Sequence, residues 1–218
     1  MKLSTSQQAL ADLALAPLQG FQTRVVLAEN LSGVTRVCEH LTRAGPAPAA
    51  PTARTAGRPV RAVRALGLSP YEAACTLAQE AGLPAANWLG FADAFARILG
   101  ALARRREAGP LSPPAGIAIL IEESHLMSPR DLERLVVALE WAADHAAIPT
   151  RALLLCGRVG RWNHHECRFQ LAWPYVPQRL LDRVGQNGLL KFTRAGLDEI
   201  RRAEQPDELT STAVLASA

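Results

Sequence analysis

Short apolar runs that alternate with amphipathic helical segments constrain the fold of this 218-residue chain more than any other feature. The strand-like runs are residues 24–28, 60–66, 117–121, 151–156 and 169–173. Most of the intervals between them are long enough for a crossover helix, and their apolar residues recur with a helical period. This alternation predicts an α/β fold in which a parallel sheet of about five strands is sandwiched between helices.

Helix ends are marked by residues that favour them. Helices are expected at residues 6–18, 33–43, 70–81, 87–106, 129–145, 177–184 and 194–202. Ser69 and Ser128 are each followed by proline, which is the favoured order of an N-cap and a first helical residue. Gly82 is expected to end the helix that begins at residue 70.

The composition indicates a globular protein and sets limits on its partners. Apolar residues make up 49% of the chain, but no apolar run approaches the roughly 20 residues that span a membrane. The amino-terminal residues lack the pattern of a signal peptide, so a cytoplasmic protein without a membrane partner is expected. The four cysteines, Cys38, Cys75, Cys156 and Cys167, show no paired spacing, which favours reduced and mostly buried thiols.

Residues 28–35 read AENLSGVT between a predicted strand and a predicted helix. A phosphate-binding loop has the pattern G-x-x-x-x-G-K-[ST] in this setting. Gly33 and Thr35 match the second glycine and the hydroxyl, whereas Ala28 and Val34 replace the first glycine and the lysine. Because the lysine is missing, no residue of the loop places a cation on the β- and γ-phosphates of a nucleotide.

A second motif is the segment IAILIEESHLMS at residues 117–128. Its apolar strand ends directly in Glu122 and Glu123. In phosphate-loop ATPases an acid at this place holds Mg²⁺, and the next acid polarises the attacking water. Glu122 would take the metal place and Glu123 the place of the base. The alternative interpretation is a strand that simply ends in solvated carboxylates.

Five segments resemble, in the correct order, the AAA+ ATPases, and in particular the group of secretion-associated and transposon target-selection ATPases. They are QQALADLALAPLQGFQTRVVLAEN, RAVRALGLSPYEAACTLAQEAGLP, LIEESHLMS, ALLLCGR and KFTRAGLDEI. The resemblance extends over residues 3–202. It implies a core at residues 1–174 with a flexible insert at 44–58, a short helical lid at 175–205 and a tail at 206–218.

The resemblance also implies a binding site for ATP and Mg²⁺. Its residues would be Gly33, Val34 and Thr35 for the phosphates, Thr35 and Glu122 for Mg²⁺, Glu123 as the base, and Arg158 or Arg161 as sensor or arginine finger. Since Val34 replaces the lysine, we expect ATP to bind weakly and its hydrolysis to be negligible. The function implied is that of a regulatory or assembly subunit with a protein partner, such as an active AAA+ protein or a transposition-type assembly.

DNA is a further partner that the sequence permits. The net charge is +4, and 22 of the 24 cationic residues are arginine, a residue well suited to phosphate contacts. The candidate contact residues are Arg54, Arg58, Arg61, Arg64 and Trp162. GC-rich coding explains an arginine excess equally well.

Two other functions stay open. The first is an atypical but working ATPase, in which Arg36 or a neighbouring subunit supplies the missing cation. Arg36 lies two places after Val34, so its side chain is expected on another part of the helix. The second is an accessory factor of a secretion or envelope-assembly system, as the other branch of the resemblance implies.

Two smaller features complete the expectations. Residues 163–167 (NHHEC) have side chains that suit zinc, but adjacent residues cannot readily ligate one ion, so an exposed loop is predicted. Trp88 and Trp141 fall within amphipathic helices and are predicted to anchor the core.

Overall fold

The computed structural model describes residues 3, 5–29, 32–43, 60–84, 90–104, 116–163, 165–185, 188–192 and 201–202. The helices of this part of the chain are α1 (Thr5–Leu15), α2 (Val34–Arg43), α3 (Pro70–Glu80), α4 (Phe91–Arg104), α5 (Pro129–Ala146) and α6 (Gln178–Val184). A single turn of 3-10 helix at Ser124–Leu126 precedes α5. None of these helices is long and apolar enough to cross a membrane.

The strands build one large sheet and one separate hairpin. They are β1 (Phe21–Ala28), β2 (Val60–Leu66), β3 (Gly116–Glu122), β4 (Thr150–Cys156), β5 (Val159–Asn163), β6 (Arg168–Ala172), β7 (Leu189–Phe192) and β8 (Arg201–Arg202). The large sheet has the order β2-β3-β4-β1-β7-β8. Its first five strands are parallel, and only the two-residue β8 is antiparallel to its neighbour. The predicted α/β fold with a five-stranded parallel sheet between helices is therefore confirmed.

Helices cover both faces of the sheet. Alternate strand residues pack against α3, α4, α5 and α6 on one face, in a cluster that includes Leu77, Ile98 and Leu135. The intervening residues pack against α1 and α2 on the other face, in a cluster that includes Leu10 and Val37. Because β3 and β4 lie in the middle, every one of their residues is buried, which is why they are apolar apart from Thr150 and Arg151 at the start of β4 and Glu122 at the end of β3.

Two helix starts form as the sequence predicts. The Ser69 hydroxyl accepts a hydrogen bond from the backbone N–H of Glu72 at 3.1 Å, directly before α3. The Ser128 hydroxyl accepts one from the N–H of Asp131 at 3.1 Å, directly before α5. Each bond satisfies an N–H that has no acceptor within its helix.

The carboxyl-terminal part of the chain differs from the prediction. The fifth strand of the sheet is β7, which pairs in parallel with β1, whereas the predicted strand at 169–173 forms the antiparallel β5–β6 hairpin as β6. The predicted lid at 175–205 contains a helix, α6, but β7 returns the chain to the sheet. Helix was also expected at 194–202, and the described residues of that range form the strand β8.

Two predictions about burial are also corrected. Trp141 is 42% exposed and stacks on His145 instead of anchoring the core, because the buried stripe of α5 runs through Leu135, Leu139 and Ala142. Of the cysteines, two are buried, Cys75 is half-buried and Cys167 is exposed. Trp88 lies outside the described residues.

Arg151 of β4 ties the end of α1 to the sheet. Its side chain is buried, and its guanidinium donates hydrogen bonds to the carbonyls of Leu13, Ala14 and Ala16 and to the amide oxygen of Gln22. Carbonyls in the last turn of a helix have no donor within the helix. Arg151 therefore replaces the water that would otherwise satisfy them.

We predict that Arg151→Met lowers the free energy of unfolding by about 2 kcal/mol or more, because several buried carbonyls lose their donor together. Urea denaturation followed by circular dichroism measures the change. Arg134→Met is the matched control, since Arg134 is exposed and pairs with Asp131 at 3.8 Å on the surface of α5. It should cost less than about 0.5 kcal/mol. Equal losses in the two variants would contradict the role of Arg151.

Candidate functional site

The carboxyl ends of β1, β3 and β4 meet at one edge of the sheet, beside a cavity of about 480 Å³. The chain leaves β1 into α2 on one face of the sheet, and it leaves β3 into α5 on the other face. Ligands of open α/β sheets bind where the connections diverge in this way, outside the carboxyl ends of the strands. The cavity is thus at the position in the fold where a ligand is expected.

The structure brings the two sequence motifs together in this cavity. Its lining includes Gly33, Val34 and Thr35 from the loop and first turn of α2, and Glu122 and Glu123 from the end of β3. All five were candidate site residues from the sequence. Their proximity follows from the parallel sheet, since the carboxyl ends of neighbouring parallel strands lie at one edge.

The loop before α2 has the backbone of a tight turn into a helix. Gly33 has a φ of 83°, a conformation that favours glycine, and its carbonyl accepts the first hydrogen bond of α2 from Val37 at 3.2 Å. The N–H groups of the first turn precede that bond and have no acceptor within the helix. The Ser32 hydroxyl is buried in the same lining without a hydrogen-bond partner in the described structure. The side chain of Gln7 donates to the Ser32 carbonyl at 3.5 Å.

The buried Glu122 forms an ion pair with the half-buried Arg64 of β2. Glu122 is 7% exposed, and its carboxylate accepts a hydrogen bond from the Arg64 Nε. Burial lowers the pKa of Arg64, but the hydrogen bond and the negative charge of Glu122 raise it by more, so that the pKa lies above its ordinary value. The Cys38 thiol of α2 packs nearby, and its pKa is raised by burial and then by the Glu122 charge.

Glu123 occupies a strained backbone conformation at the same edge. Its φ is 58°, in the left-handed region that is uncommon for residues other than glycine, and its side chain is 53% exposed. Strained residues of this kind concentrate at functional sites. The conformation turns the carboxylate of Glu123 away from the sheet while Glu122 stays within it.

His125 links the ends of β3 and β4. Its Nδ1 accepts a hydrogen bond from the Gly157 N–H at 3.0 Å, and its Nε2 lies 3.4 Å from the Glu123 carboxylate. The accepted bond requires an Nδ1 without a proton, so the neutral ring carries its proton on Nε2, facing Glu123. Burial lowers the pKa of His125, while the charge of Glu123 opposes that shift.

Arg158 is held beside the site by two contacts. Its Nη2 donates to the Glu29 carboxylate at 2.7 Å, and its guanidinium carbon lies 4.6 Å from the centroid of the Trp173 ring. The Lys191 ammonium lies 5.7 Å from the same centroid. A role of Arg158 as sensor or finger would require it to leave Glu29. The side chain of Arg161, the other candidate, lies outside the described residues.

The candidate DNA contacts are only partly described. Arg61 donates a hydrogen bond to the Leu102 carbonyl at 3.1 Å, and Arg64 binds Glu122, so both guanidinium groups have partners within the protein. Arg54 and Arg58 lie outside the described residues, as does the side chain of Trp162. DNA contact by this set therefore stays a prediction.

The predicted loop at 163–167 is exposed where it is described. Residues 165–167 form an exposed turn, and the Glu166 carboxylate accepts a hydrogen bond from the Arg168 Nε at 2.5 Å. Within the described part of the chain, no three His, Cys, Asp or Glu side chains are placed to hold a metal ion together.

The sequence did not reveal two elements of the site. The ion pair of Arg64 with Glu122 depends on the register of β2 against β3, which places Leu66 opposite Glu122 and Arg64 opposite Leu120. The alternation of side chains along each strand could have indicated the pair, because residues 64 and 122 each lie on the face of the sheet that carries α2. His125 carried no assigned role, although it follows Glu123 by two residues.

Comparison with known proteins adds no assignment to the site. No protein-family model matches this sequence, and no curated protein matches it. The strand pairing shows an α/β fold with a five-stranded parallel sheet, and the resemblance to AAA+ ATPases stays a prediction.

We predict that the fold loses stability in acid through His125. Its pKa in the folded protein lies below the ordinary 6.5, so the unfolded chain binds the proton more readily. The stabilisation is complete above pH 6.5 and is lost as the pH falls through the folded-state pKa. Urea unfolding from about pH 7 to about pH 5 should show this fall in the wild type.

His125→Asn is the comparison for this measurement, because an asparagine oxygen can accept the Gly157 N–H bond and does not titrate. The fall in unfolding free energy across the acidic range should be smaller in this variant. Parallel pH profiles for the two proteins would show that His125 does not contribute.

Proposed function

We propose that this chain is a non-hydrolysing AAA+-like protein that acts as a regulatory or assembly subunit through a protein partner. The observation that carries the proposal is a single cavity that joins Gly33 and Thr35 to Glu122 and Glu123, with the apolar Val34 in the lysine place. The five-stranded parallel sheet is compatible with a phosphate-loop fold. The protein thus has the arrangement of a nucleotide site without the cation on which hydrolysis depends.

The charges of the site favour weak nucleotide binding. The amino terminus of α2 offers backbone N–H groups that suit a phosphate. Glu29, Glu122 and Glu123 also line the cavity, and although Arg158 and Arg64 neutralise the first two, the carboxylate of Glu123 opposes an anionic ligand. A missing unit charge at about 4 Å from a phosphate is worth about 4 kcal/mol at an effective dielectric constant of 20. Nucleotide affinity is accordingly low.

The same charges make phosphoryl transfer slow. Phosphoryl transfer is catalysed mainly by cations that stabilise the charge on the transferred group. Val34 supplies none, and the carboxylate of Glu122 is already paired with Arg64. Glu123 is exposed enough to reach water, but a base alone does not stabilise the transition state.

An exposed apolar surface beside the cavity supports a protein partner. Leu66, Leu68, Tyr71 and Leu126 are each between 41% and 56% exposed, and we call this set the apolar edge. A backbone hydrogen bond joins the two segments that carry these residues, because the Gly67 N–H donates to the Glu122 carbonyl at 2.6 Å. Exposed apolar residues grouped in this way are typical of interaction sites. The proposed partner is an active AAA+ protein or a transposition-type assembly.

Arg36 supports a second candidate function, an atypical ATPase. The sequence placed its side chain on another part of the helix, yet Arg36 is among the residues that line the cavity. A cation from Arg36 or from a neighbouring subunit would restore part of the missing charge.

We predict that purified protein with ATP and Mg²⁺ releases phosphate no faster than its Glu123→Gln variant, because the transition state lacks its cation. Phosphate release measured over hours at saturating ATP is the assay. Glu133→Gln on α5 is the control for a carboxylate lost away from the site.

Turnover in the wild type that Glu123→Gln abolishes and Glu133→Gln leaves unchanged would contradict the proposal. The second candidate would then be tested by Arg36→Gln. Loss of turnover in that variant would identify Arg36 as the cation in cis, and retained turnover would point to a neighbouring subunit.

A further inference from the structure

The resemblance implies a Mg²⁺ ion bound through Thr35 and Glu122, and the residues at this place do not fit one. The carboxylate of Glu122 is 7% exposed and already accepts a hydrogen bond from Arg64. A metal ligand must present lone pairs to the ion, and the approach of a dication to this carboxylate meets a fixed guanidinium charge. Thr35, the other implied ligand, is exposed at the start of α2.

The strand register fixes Arg64 in this position. Arg64 and Glu122 lie on the α2 face of neighbouring strands, in diagonal positions that long side chains can bridge. Cys38 of α2 lies close enough for the charges of the pair to shift its pKa, and Leu120, the strand partner of Arg64, is buried in one cluster with Cys38. Loss of Arg64 would leave the buried charge of Glu122 uncompensated, so the pair is retained unless a stronger partner replaces the arginine.

The charges at Glu122 fit the replacement of a metal ion by the guanidinium of Arg64. In a phosphate-loop ATPase the ion neutralises the strand-end acid and part of the phosphate charge. Here the guanidinium of Arg64 neutralises Glu122 but no phosphate charge. Because Arg64 belongs to the neighbouring strand, its position does not depend on a ligand. The buried acid therefore has a cationic partner without a metal.

We propose that the guanidinium of Arg64 takes the place of a divalent metal ion at Glu122, so that this part of the cavity needs no Mg²⁺. The inference rests on the proposed function, which implies the metal site. That Arg64 keeps a metal ion from Glu122 does not itself require that a nucleotide bind.

Titration with Mn²⁺ alone tests the inference. Electron paramagnetic resonance of free Mn²⁺ measures binding in the wild type, Glu122→Gln, Arg64→Gln, Arg64→Lys and the double variant Arg64→Gln/Glu122→Gln. The wild type should show no binding that depends on Glu122. Arg64→Gln should bind Mn²⁺ about tenfold tighter or more than the wild type, because the carboxylate loses its fixed positive neighbour. The double variant should lose that gain, and Arg64→Lys should not show it.

Two controls separate this effect from a change in the fold. Arg61→Gln removes an arginine from the same strand on the opposite face and should leave Mn²⁺ binding unchanged. Thermal unfolding of each variant shows whether it is folded. If Arg64→Gln does not fold, comparison of the wild type with Glu122→Gln still decides the question, since Mn²⁺ binding lost in Glu122→Gln would overturn the inference.

An Arg64→Gln protein that is folded and gains no Mn²⁺ binding would also overturn it. The phosphate-release assay is independent of these titrations. Turnover without a metal site at Glu122 would contradict the proposed function and leave this inference standing, whereas a metal site without turnover would do the reverse.

Discussion

Burial of β3 and β4 on both faces is the constraint on which the rest of the structure depends. A strand with no exposed face can present polar groups only at its ends. β3 is apolar until its last residue, Glu122, which is still buried and needs a partner. Arg64 on the neighbouring strand supplies that partner. The chemistry of the site is thus confined to the carboxyl edge of the sheet, where Glu123 turns outward and the loop before α2 faces it.

The two faces of the sheet divide the structural tasks. The larger apolar cluster, with α3, α4, α5 and α6, occupies one face. The other face carries α1 and α2, and there the sheet contributes the charged residues Arg64, Glu122 and Arg151. Arg151 donates hydrogen bonds to the carbonyls at the end of α1, and Arg64 donates one to the carboxylate at the end of β3. Arginine meets both needs because its guanidinium offers several donors in a fixed plane and keeps its charge when buried.

Much of the fold could be predicted from the sequence because its signals are local. The apolar runs gave β1, β2, β3 and β4, and the serine–proline pairs gave the starts of α3 and α5. β7 was missed because only four residues form it, with no long apolar run, and its place depends on pairing with β1. The same non-local pairing explains why a strand lies within residues 175–205, where the sequence predicted only helices.

The candidate site could also be predicted only in part. The meeting of the loop with Glu122 and Glu123 could be predicted, because parallel strands bring their carboxyl ends together. The partner of Glu122 could not, since residues 64 and 122 meet only through the register of β2 against β3. Trp141 shows the opposite case. The helical period of α5 places it beside the buried stripe, so the information was present in the sequence and the aromatic side chain was given too much weight.

The central claim is that the cavity at the carboxyl edge has the form of a nucleotide site but lacks both the loop cation and the metal. Isothermal titration calorimetry with ATP, in Mg²⁺ and in EDTA, measures this most directly. The account predicts binding weaker than low-micromolar, with the same affinity in both buffers. Low-micromolar binding that requires Mg²⁺ would contradict it and would show that Val34 and Arg64 do not prevent a working nucleotide site.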